Sequence, residues 1–235
     1  MSGPLPRALL VDLDDTIIDD TGEADRCWDV ICCDAASGLG VAPDVLVSSI
    51  LEVRDWYWSD TARHRVGRLD LRAATAEIVG QALTTLELDA SRARSIAEAY
   101  RDRRDACQVL LPGAVAMLET LRERGVPMAL LTNGATRPQQ AKIDRFDLAS
   151  YFDCIVIEEA FGVGKPDERV YRHALACLGV EPGVSWMVGD NLEWDVAAPQ
   201  RLGLHGVWID VKQRGLPAGS TVRPDRIIVA LRELL

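Results

Sequence analysis

The sequence lacks the cysteine and histidine patterns that mark disulfide-rich or zinc-binding proteins. It has six cysteines, which are Cys27, Cys32, Cys33, Cys107, Cys154 and Cys177. None forms a C-x-x-C pair, and the three histidines do not flank them at zinc-finger spacing. Most of the cysteines lie on apolar faces, where a free cysteine behaves as a small hydrophobic residue. We therefore expect reduced, structural cysteines.

The chain also lacks a basic segment and a long apolar segment. Its formal net charge is −10, and no run of lysine and arginine could follow a nucleic-acid backbone. No apolar run approaches the roughly 20 residues that span a bilayer. The segment before the first predicted strand is too short for a signal peptide. We therefore expect no nucleic-acid partner, no membrane partner and a cytoplasmic location for this chain of 235 residues, 48% of which are hydrophobic.

Four apolar residues at positions 8–11 run directly into a cluster of carboxylates. This pattern is typical of a strand buried on both faces of a parallel sheet, and the carboxyl end of such a strand is where open α/β sheets bind ligands. Asp12 and Asp14 would point the same way if the strand continues past Asp12. Two such carboxylates suit a divalent cation and an anionic nucleophile, whereas the alternative is a solvated acidic turn.

Residues 18–107 are predicted to be helical, with no strand among them. Four amphipathic stretches follow one another, at residues 28–35, 43–56, 71–86 and 91–100. Gly38 and Gly40 are expected to end the first helix, and Asp70 is the predicted N-cap of the third. This block is an α-rich module rather than a continuation of a βαβ pattern.

Strands and helices alternate from Pro112 onward. Strands are predicted at residues 128–131, 154–157, 186–189 and 207–209. Such alternation implies right-handed crossovers and a parallel sheet with helices on both faces. The predicted fold is therefore α/β, a Rossmann-like doubly wound parallel sheet with a helical insert after the first strand. We expect residues 1–17 and 108–235 to form the core and residues 18–107 the insert.

Polar residues also follow the second predicted strand of the core and the third. Thr132, Asn133 and Gly134 offer a hydroxyl and backbone N–H groups that could cradle a phosphate, although such a sequence is also an ordinary turn. Lys165 lies between Gly164 and Pro166, ahead of a helix. It could supply a fixed positive charge to a phosphoryl group, or it could be a solvated loop lysine.

Two further carboxylates follow the strand at residues 186–189. Asp190 falls at the end of that strand, and Asp195 falls in the first turns of the next helix. A carboxylate at that point could cap a helix, but beside a second carboxylate cluster it becomes a ligand for a hard cation.

Taken together, these residues resemble the haloacid dehalogenase superfamily of phosphohydrolases over almost the whole chain. The residues that carry the resemblance are, in chain order, Asp12, Asp14, Thr132, Lys165, Asp190 and Asp195. By position and length, the helical insert resembles the C1 cap domain of that superfamily. Segments 131–134, 150–153 and 188–190 resemble the C1-capped phosphatases of the N-acylneuraminate-9-phosphatase group.

The resemblance implies a Mg2+-dependent phosphatase that acts on small phosphate monoesters. Asp12 would be the nucleophile that forms an aspartyl-phosphate. Asp14 would protonate the leaving alcohol and then deprotonate the attacking water. Mg2+ would be held by the carboxylates of Asp12 and Asp190 and by the backbone carbonyl of Asp14. Lys165 would balance the charge on Asp12 and on the phosphate.

The resemblance also implies residues that bind the phosphate or orient the others. Thr132 and the backbone N–H of Asn133 would bind phosphoryl oxygens, and Gly134 and Thr16 are assigned to the same phosphate-binding group. Asp195 would orient Lys165 or a metal-bound water from behind the residues that touch the substrate.

Other functions use some of the same residues. A 2-haloacid dehalogenase of the superfamily uses the same nucleophile, but it typically lacks the second aspartate and needs no magnesium. A phosphomutase keeps Asp14. A non-enzymatic phospho-receiver has similar ingredients on a doubly wound sheet, but it lacks a helical insert after the first strand. A catalytically inactive binding module is the remaining alternative.

Substrate specificity is expected to come from the insert. The candidate contacts lie in the stretch from Trp56 to Arg68, and they are Tyr57, Trp58, Arg63, His64, Arg65 and Arg68. A cluster of arginines near a cleft would favour a carboxylated or sugar-acid phosphate. The structural alternative is a solvated helix end with aromatic residues packed between helices. Arg137 is a further candidate with the same alternative. We expect a small phosphorylated metabolite as the partner, and a monomer or homodimer.

Overall fold

The structure is a computed structural model, and it describes residues 5–235. The chain divides into two compact units, one formed by residues 5–19 and 109–235 and the other by Asp20–Gln108. The second unit corresponds to the insert that the sequence predicted at residues 18–107, and its role as a cap stays a prediction. The expectation about a signal peptide falls partly on residues 1–4, which lie outside the described residues.

The described residues form eight strands in two sheets. In chain order the strands are β1 (Ala8–Val11), β2 (Ile18–Asp19), β3 (Val109–Leu110), β4 (Met128–Thr132), β5 (Cys154–Ile157), β6 (Ser185–Gly189), β7 (His205–Ile209) and β8 (Arg226–Ile228).

Among the described residues, the first five α-helices follow one another between β2 and β3, and the other five lie between the later strands. In chain order they are α1 (Ala24–Leu39), α2 (Pro43–Ser59), α3 (Thr61–Gly67), α4 (Leu71–Thr85), α5 (Ala93–Cys107), α6 (Ala114–Glu123), α7 (Thr136–Arg145), α8 (Glu158–Phe161), α9 (Glu168–Leu178) and α10 (Ala198–Arg201). A π-helical turn, Leu192–Ala197, precedes α10 directly.

Six strands form one parallel sheet in the order β5-β4-β1-β6-β7-β8, with β1 in the interior. Val11, the last residue of β1, lies opposite Leu130 of β4 and Val188 of β6. The carboxyl ends of these three strands therefore meet at one edge, where a doubly wound sheet binds its ligands. The predicted α/β fold with a helical insert is confirmed.

Alternating residues of the central strands supply the cores on the two faces of this sheet. Leu9 and Val11 pack in one hydrophobic cluster with Met117 and Leu121 of α6. Leu10 packs in the other with Tyr171 of α9. All four residues of β1 are fully buried. This burial explains why β1 is a continuous apolar run and not an alternating pattern.

The helical unit has its own hydrophobic core. Trp28 of α1 stacks on Tyr100 of α5, with 3.6 Å between the ring centroids. Ile50 of α2 and Leu83 of α4 are fully buried in the same cluster. Asp70 caps α4 by accepting a hydrogen bond from the Ala73 N–H at 3.0 Å, as the sequence predicted.

The structure differs from the sequence prediction in four local features. Helix α1 continues through Gly38 and ends at Leu39, followed by Gly40 in the left-handed conformation. The short helix α3 was not predicted; it begins after Asp60, whose carboxylate accepts the Arg63 N–H. Strands β2 and β3 pair antiparallel and were also missed, because two residues are too few for a recognisable period. The helix predicted after β6 starts as a π-helix.

Within residues 5–235 no single helix is both long and apolar enough to cross a membrane. The pair α1 and α2 passes that test only when the two are joined across a bend of 117°.

Candidate active site

Asp12 lies directly after β1, in the interior of the sheet. Its backbone N–H donates to the Val188 carbonyl at 2.9 Å, so the residue is fixed as if the strand continued for one more peptide. Its side chain is buried, and its Oδ1 accepts a hydrogen bond from Lys165 Nζ at 2.7 Å. The main chain therefore aims this carboxylate at the carboxyl edge of the sheet.

Lys165 joins two carboxylates in the protein interior. Its Nζ donates to Asp12 Oδ1 and to Asp195 Oδ1, both at 2.7 Å, and the lysine is only 1% exposed. A buried ammonium is tolerated when it is paired and hydrogen-bonded in this way. The solvated-lysine alternative is excluded by this burial.

The loop that carries Lys165 is held by the side chain of Asn133. The Lys165 N–H donates to Asn133 Oδ1, and Asn133 Nδ2 donates to the Lys165 carbonyl, both at 2.8 Å. A Cβ on Gly164 would lie only 2.5 Å from Asn133 Oδ1, so a glycine is needed for this close approach. Asn133 therefore has a structural task that the sequence did not predict.

Glu158 occupies the N–H group of Gly134. That N–H donates to Glu158 Oε2 at 2.8 Å in a buried position. The sequence assigned Gly134 to phosphate binding, but in the structure its N–H donates to a side chain of the protein itself. Thr16, the other residue assigned there, is fully buried, and its hydroxyl takes no part in the hydrogen bonds of the site.

Asp14 is held from helix α7. Strand β1 ends at Val11, so the alternation that was expected to align Asp14 with Asp12 does not extend that far. Instead, Asp14 Oδ1 pairs with Lys142 Nζ at 2.6 Å, and Asp14 Oδ2 accepts a hydrogen bond from Gln139 Nε2 at 2.8 Å. Gln139 also donates to Thr132 Oγ1. This amide therefore connects Asp14 to Thr132 at the end of β4.

Asp190 and Asp195 both follow β6, but they differ in their exposure to solvent. Asp190 is exposed, and its carbonyl accepts a hydrogen bond from Trp208 Nε1 at 2.7 Å. Asp195 is fully buried; its second carboxylate oxygen accepts the Asn191 N–H at 3.0 Å. A Cβ on Gly189 would overlap the Asp195 carboxylate, so glycine at the end of β6 makes room for it.

The electrostatics of the site reflect an excess of carboxylates. Burial raises the pKa of Asp12 to about 7, with Lys165 opposing the shift. Asp190 is exposed as a whole residue, but its carboxylate lies within 4.8 Å of those of Asp12 and Asp195. Desolvation at this position, together with those two negative charges, raises the pKa of Asp190 to about 8. Burial disfavours the charged form of Lys165, but Asp12 and Asp195 outweigh it and raise its pKa above the usual value. The lysine therefore stays a cation.

The donor set fits a hard divalent cation. Asp12, Asp190 and Asp195 each offer a carboxylate oxygen, and these atoms lie within 4.8 Å of one another. When all three are ionised, one ammonium leaves two negative charges uncompensated. Mg2+ is usually held by one or two carboxylates and completes its shell with water. Both oxygens of Asp195 already accept hydrogen bonds, from Lys165 and from the Asn191 N–H, so Asp12 and Asp190 are the carboxylates that fit this role.

Three buried polar residues were missed by the sequence analysis, namely Gln139, Lys142 and Glu158. Gln139 and Lys142 lie on the same face of α7 as the core residue Ile143. A pattern of polar residues at i and i+3 beside an apolar residue at i+4 was the available signal, but polar residues are ordinarily assigned to the solvent side of a helix.

The arginine and aromatic residues proposed for specificity pack on one another within the helical unit. Arg63 lies 3.8 Å from the ring centroid of Trp56 and donates to the carbonyls of Trp56 and Tyr57. Trp58 contacts His64 edge to face. These contacts are those of the structural alternative, while Arg65 and Arg137 are exposed.

Known proteins resemble this chain over most of its length. A family model for haloacid dehalogenase-like hydrolases matches residues 6–203. The chain is 33% identical to a phosphoserine phosphatase of Thermus thermophilus, with 97% of each chain covered. It is 29% identical to the N-acylneuraminate-9-phosphatase of Rattus norvegicus, covering 97% of this chain and 92% of that one.

Solved structures show the same fold at lower identity. The HAD-hydrolase YfnB of Bacillus subtilis, bound to magnesium, superposes with a TM-score of 0.76 at 19% identity, covering 98% of this chain and 97% of that one. An L-2-haloacid dehalogenase, RSc1362, superposes with a TM-score of 0.68 at 18% identity, with 98% and 97% covered. The chain belongs to the haloacid dehalogenase-like hydrolase family.

Proposed function

We propose that the protein is a Mg2+-dependent phosphatase that hydrolyses small phosphate monoesters through an aspartyl-phosphate on Asp12. The observation that carries this proposal is the buried pair of Asp12 and Lys165, set beside Asp190 and Asp195 at the carboxyl edge of the sheet. The family and the phosphatase relatives support a phosphoric monoester hydrolase.

Asp12 is the nucleophile of this proposal. Lys165 binds its Oδ1, which leaves Oδ2 to attack phosphorus, and the bond from phosphorus to the leaving oxygen breaks as the new bond forms. A phosphate dianion and an aspartate repel each other, so the buried ammonium of Lys165 is needed at this point. Asp195 keeps that ammonium in place through its 2.7 Å contact.

Asp14 moves the protons. In the first step it gives a proton to the leaving alkoxide, and in the second it takes a proton from the water that attacks phosphorus and releases Asp12. Gln139 and Lys142 hold the two oxygens of this carboxylate before substrate binds. Thr132 Oγ1 and the backbone N–H of Asn133 bind the phosphoryl oxygens.

Asp12, Asp190 and the backbone carbonyl of Asp14 would hold Mg2+, which when bound neutralises charge between the phosphate and the nucleophile. The magnesium in the solved structure of YfnB supports this choice of cation. The substrate class is a small phosphorylated metabolite, and the names of the relatives, phosphoserine phosphatase and N-acylneuraminate-9-phosphatase, point toward a phosphate ester that also carries a carboxylate.

A 2-haloacid dehalogenase is the second candidate, because proteins of that activity share the fold. It would use Asp12 in the same way, but a halide leaves without a proton. The two hydrogen-bonded contacts that position Asp14 therefore favour the phosphatase. A phosphomutase retains Asp14 and differs in the acceptor of the phosphoryl group.

The test is release of inorganic phosphate from a panel of phosphate monoesters, with Mg2+ and with EDTA, alongside halide release from 2-chloropropionate. We expect phosphate release that requires Mg2+ and that is lost in Asp12→Asn. The matched control is Asp102→Asn, since Asp102 forms an exposed ion pair with Arg72. Halide release without phosphate release would overturn the proposal in favour of the dehalogenase.

A further inference from the structure

The structure brings two cysteines and a histidine together away from the candidate active site. Cys154 is the first residue of β5, an edge strand of the six-stranded sheet. His173 and Cys177 lie one turn apart on α9, and Cys177 Sγ is 3.5 Å from His173 Nε2. The two sulfurs and a ring nitrogen all lie within 4.8 Å of one another.

This cluster lies near the amino-terminal ends of the strands, whereas Asp12 lies at their carboxyl ends. Cys154 pairs with Ala129 near the start of β4, whereas the site residue Thr132 pairs with Ile157 at the other end of β5. Cys154 and Ile157 are three residues apart on β5, a distance of about 10 Å along the strand. Helix α9 begins just after the Lys165 loop, and Cys177 lies nine residues beyond its first residue, about 13 Å along the axis.

The spacing of the ligand atoms matches a tetrahedral zinc site. Zn–S bonds of about 2.3 Å and Zn–N bonds of about 2.0 Å place a sulfur and a nitrogen about 3.5 Å apart at the tetrahedral angle. The observed 3.5 Å between Cys177 Sγ and His173 Nε2 agrees with that value. Cys154 Sγ needs to move by no more than about 1 Å to reach the sulfur separation of such a site, about 3.8 Å.

The charges and surroundings of the three side chains also fit. Two thiolates and a neutral imidazole around Zn2+ carry no net charge, so the complex needs no further counter-charge beside the buried Cys154. Cys154 is buried, whereas His173 and Cys177 are exposed, which leaves a path for the ion. The ring of Phe161 lies 4.8 Å from that of His173 and limits its rotation.

We propose that Cys154, His173 and Cys177 form a binding site for a soft divalent cation of the Zn2+ class, with water as the fourth ligand. Sulfur and imidazole donors select Zn2+ over Mg2+, so this site and the carboxylate site hold different ions. The bound ion ties the last turns of α9 to the edge strand β5. The spacing in the sequence gives no hint of it, because the ligands come from a strand and a helix 19 residues apart.

The test uses Co2+ as a spectroscopic probe of the metal-free full-length protein, with Mg2+ in excess to occupy carboxylate ligands. We expect one equivalent of Co2+ to give a thiolate-to-cobalt charge-transfer band that Zn2+ bleaches. Cys177→Ser and His173→Ala change exposed residues. Each should weaken Co2+ binding by at least about 100-fold, since even the loss of an outer partner of a metal ligand costs 10–100-fold.

The control variant is Cys33→Ser, which removes an exposed cysteine of α1 and should leave the band unchanged. A thermal melt of each variant checks that it is folded. Absence of the band in wild type overturns the proposal, and so does a band of full strength in folded Cys177→Ser. A loss of 2 Da on exposure of the protein to air, with O2 as the oxidant that joins Cys154 to Cys177 even when metal is present, would also overturn it in favour of a disulfide.

Discussion

Replacing Lys165 by methionine tests the buried charge cluster most sharply, because methionine keeps the length of the side chain and removes its charge. Lys165 makes two hydrogen bonds of 2.7 Å to buried carboxylates. Charge-assisted hydrogen bonds contribute about 1.5–3 kcal/mol each, and removing one partner of a buried ion pair costs about 3–5 kcal/mol. We expect a loss of about 3–5 kcal/mol.

A loss of that size lowers Tm by about 6–20 °C, at about 2–4 °C per kcal/mol for a chain of this length.

The loss of stability in Lys165→Met should depend on pH. The pKa of Asp12 is already raised to about 7 in the folded protein, and without Lys165 it rises further. A raised carboxyl pKa gives stability that is present at low pH and lost as pH rises through the folded value. The Tm difference should therefore be larger at pH 8 than at pH 5.

The assay is differential scanning calorimetry of wild type and Lys165→Met in EDTA at both pH values. Lys212→Met is the matched control, because Lys212 is exposed, and it should leave Tm within about 2 °C of wild type. The reasoning is refuted if Lys165→Met melts like wild type, or if the Tm difference is the same at pH 5 and pH 8.

Three further predictions follow from the same site. Asp14→Asn should lower kcat/KM for alkyl phosphates by about 10²–10⁴-fold but lower kcat/KM for p-nitrophenyl phosphate far less, because kcat/KM reports phosphoryl transfer to Asp12 and nitrophenolate leaves in that step without a proton; equal losses in kcat/KM would contradict a proton-transfer role. The pKa values of Asp12 and Asp190 are raised to about 7 and about 8, so Mg2+ must displace protons from these carboxylates when it binds. Calorimetric titration should therefore show that the affinity for Mg2+ rises by about tenfold per pH unit for each proton displaced. An affinity for Mg2+ that is independent of pH from 6 to 9 would contradict this. Gly189→Ala should cost about 1–3 kcal/mol in urea unfolding because its Cβ overlaps Asp195, whereas Gly183→Ala, with open space around it, should not; equal midpoints would contradict the close packing.

The sequence predicted the parts of the site that lie on strand ends. Asp12, Thr132 and Asp190 each follow a buried apolar run, and parallel strands bring such ends to one edge. Lys165 was predicted from its loop, and the structure adds that it is buried between two carboxylates. These features follow from local pattern and topology together.

The features that the sequence did not predict depend on contacts between distant segments. From the sequence, Gln139 and Lys142 are expected to face solvent on a helix. In the structure both bind Asp14, which precedes them in the chain by 125 and 128 positions. Cys154 joins His173 and Cys177 only because α9 packs on β5. The spacing of residues within one helix or strand does not predict such contacts, because they depend on how helices and strands pack against one another.

The most direct test of the central claim is chemical trapping of the phosphorylated nucleophile. Wild-type protein is mixed with Mg2+ and its best phosphate ester, quenched during turnover and treated with borohydride, which reduces an acyl phosphate to an alcohol. The account predicts that the peptide containing residues 8–16 carries homoserine in place of Asp12, and that this product requires substrate. Phosphate release with an unmodified Asp12, or with reduction at another carboxylate, would contradict it.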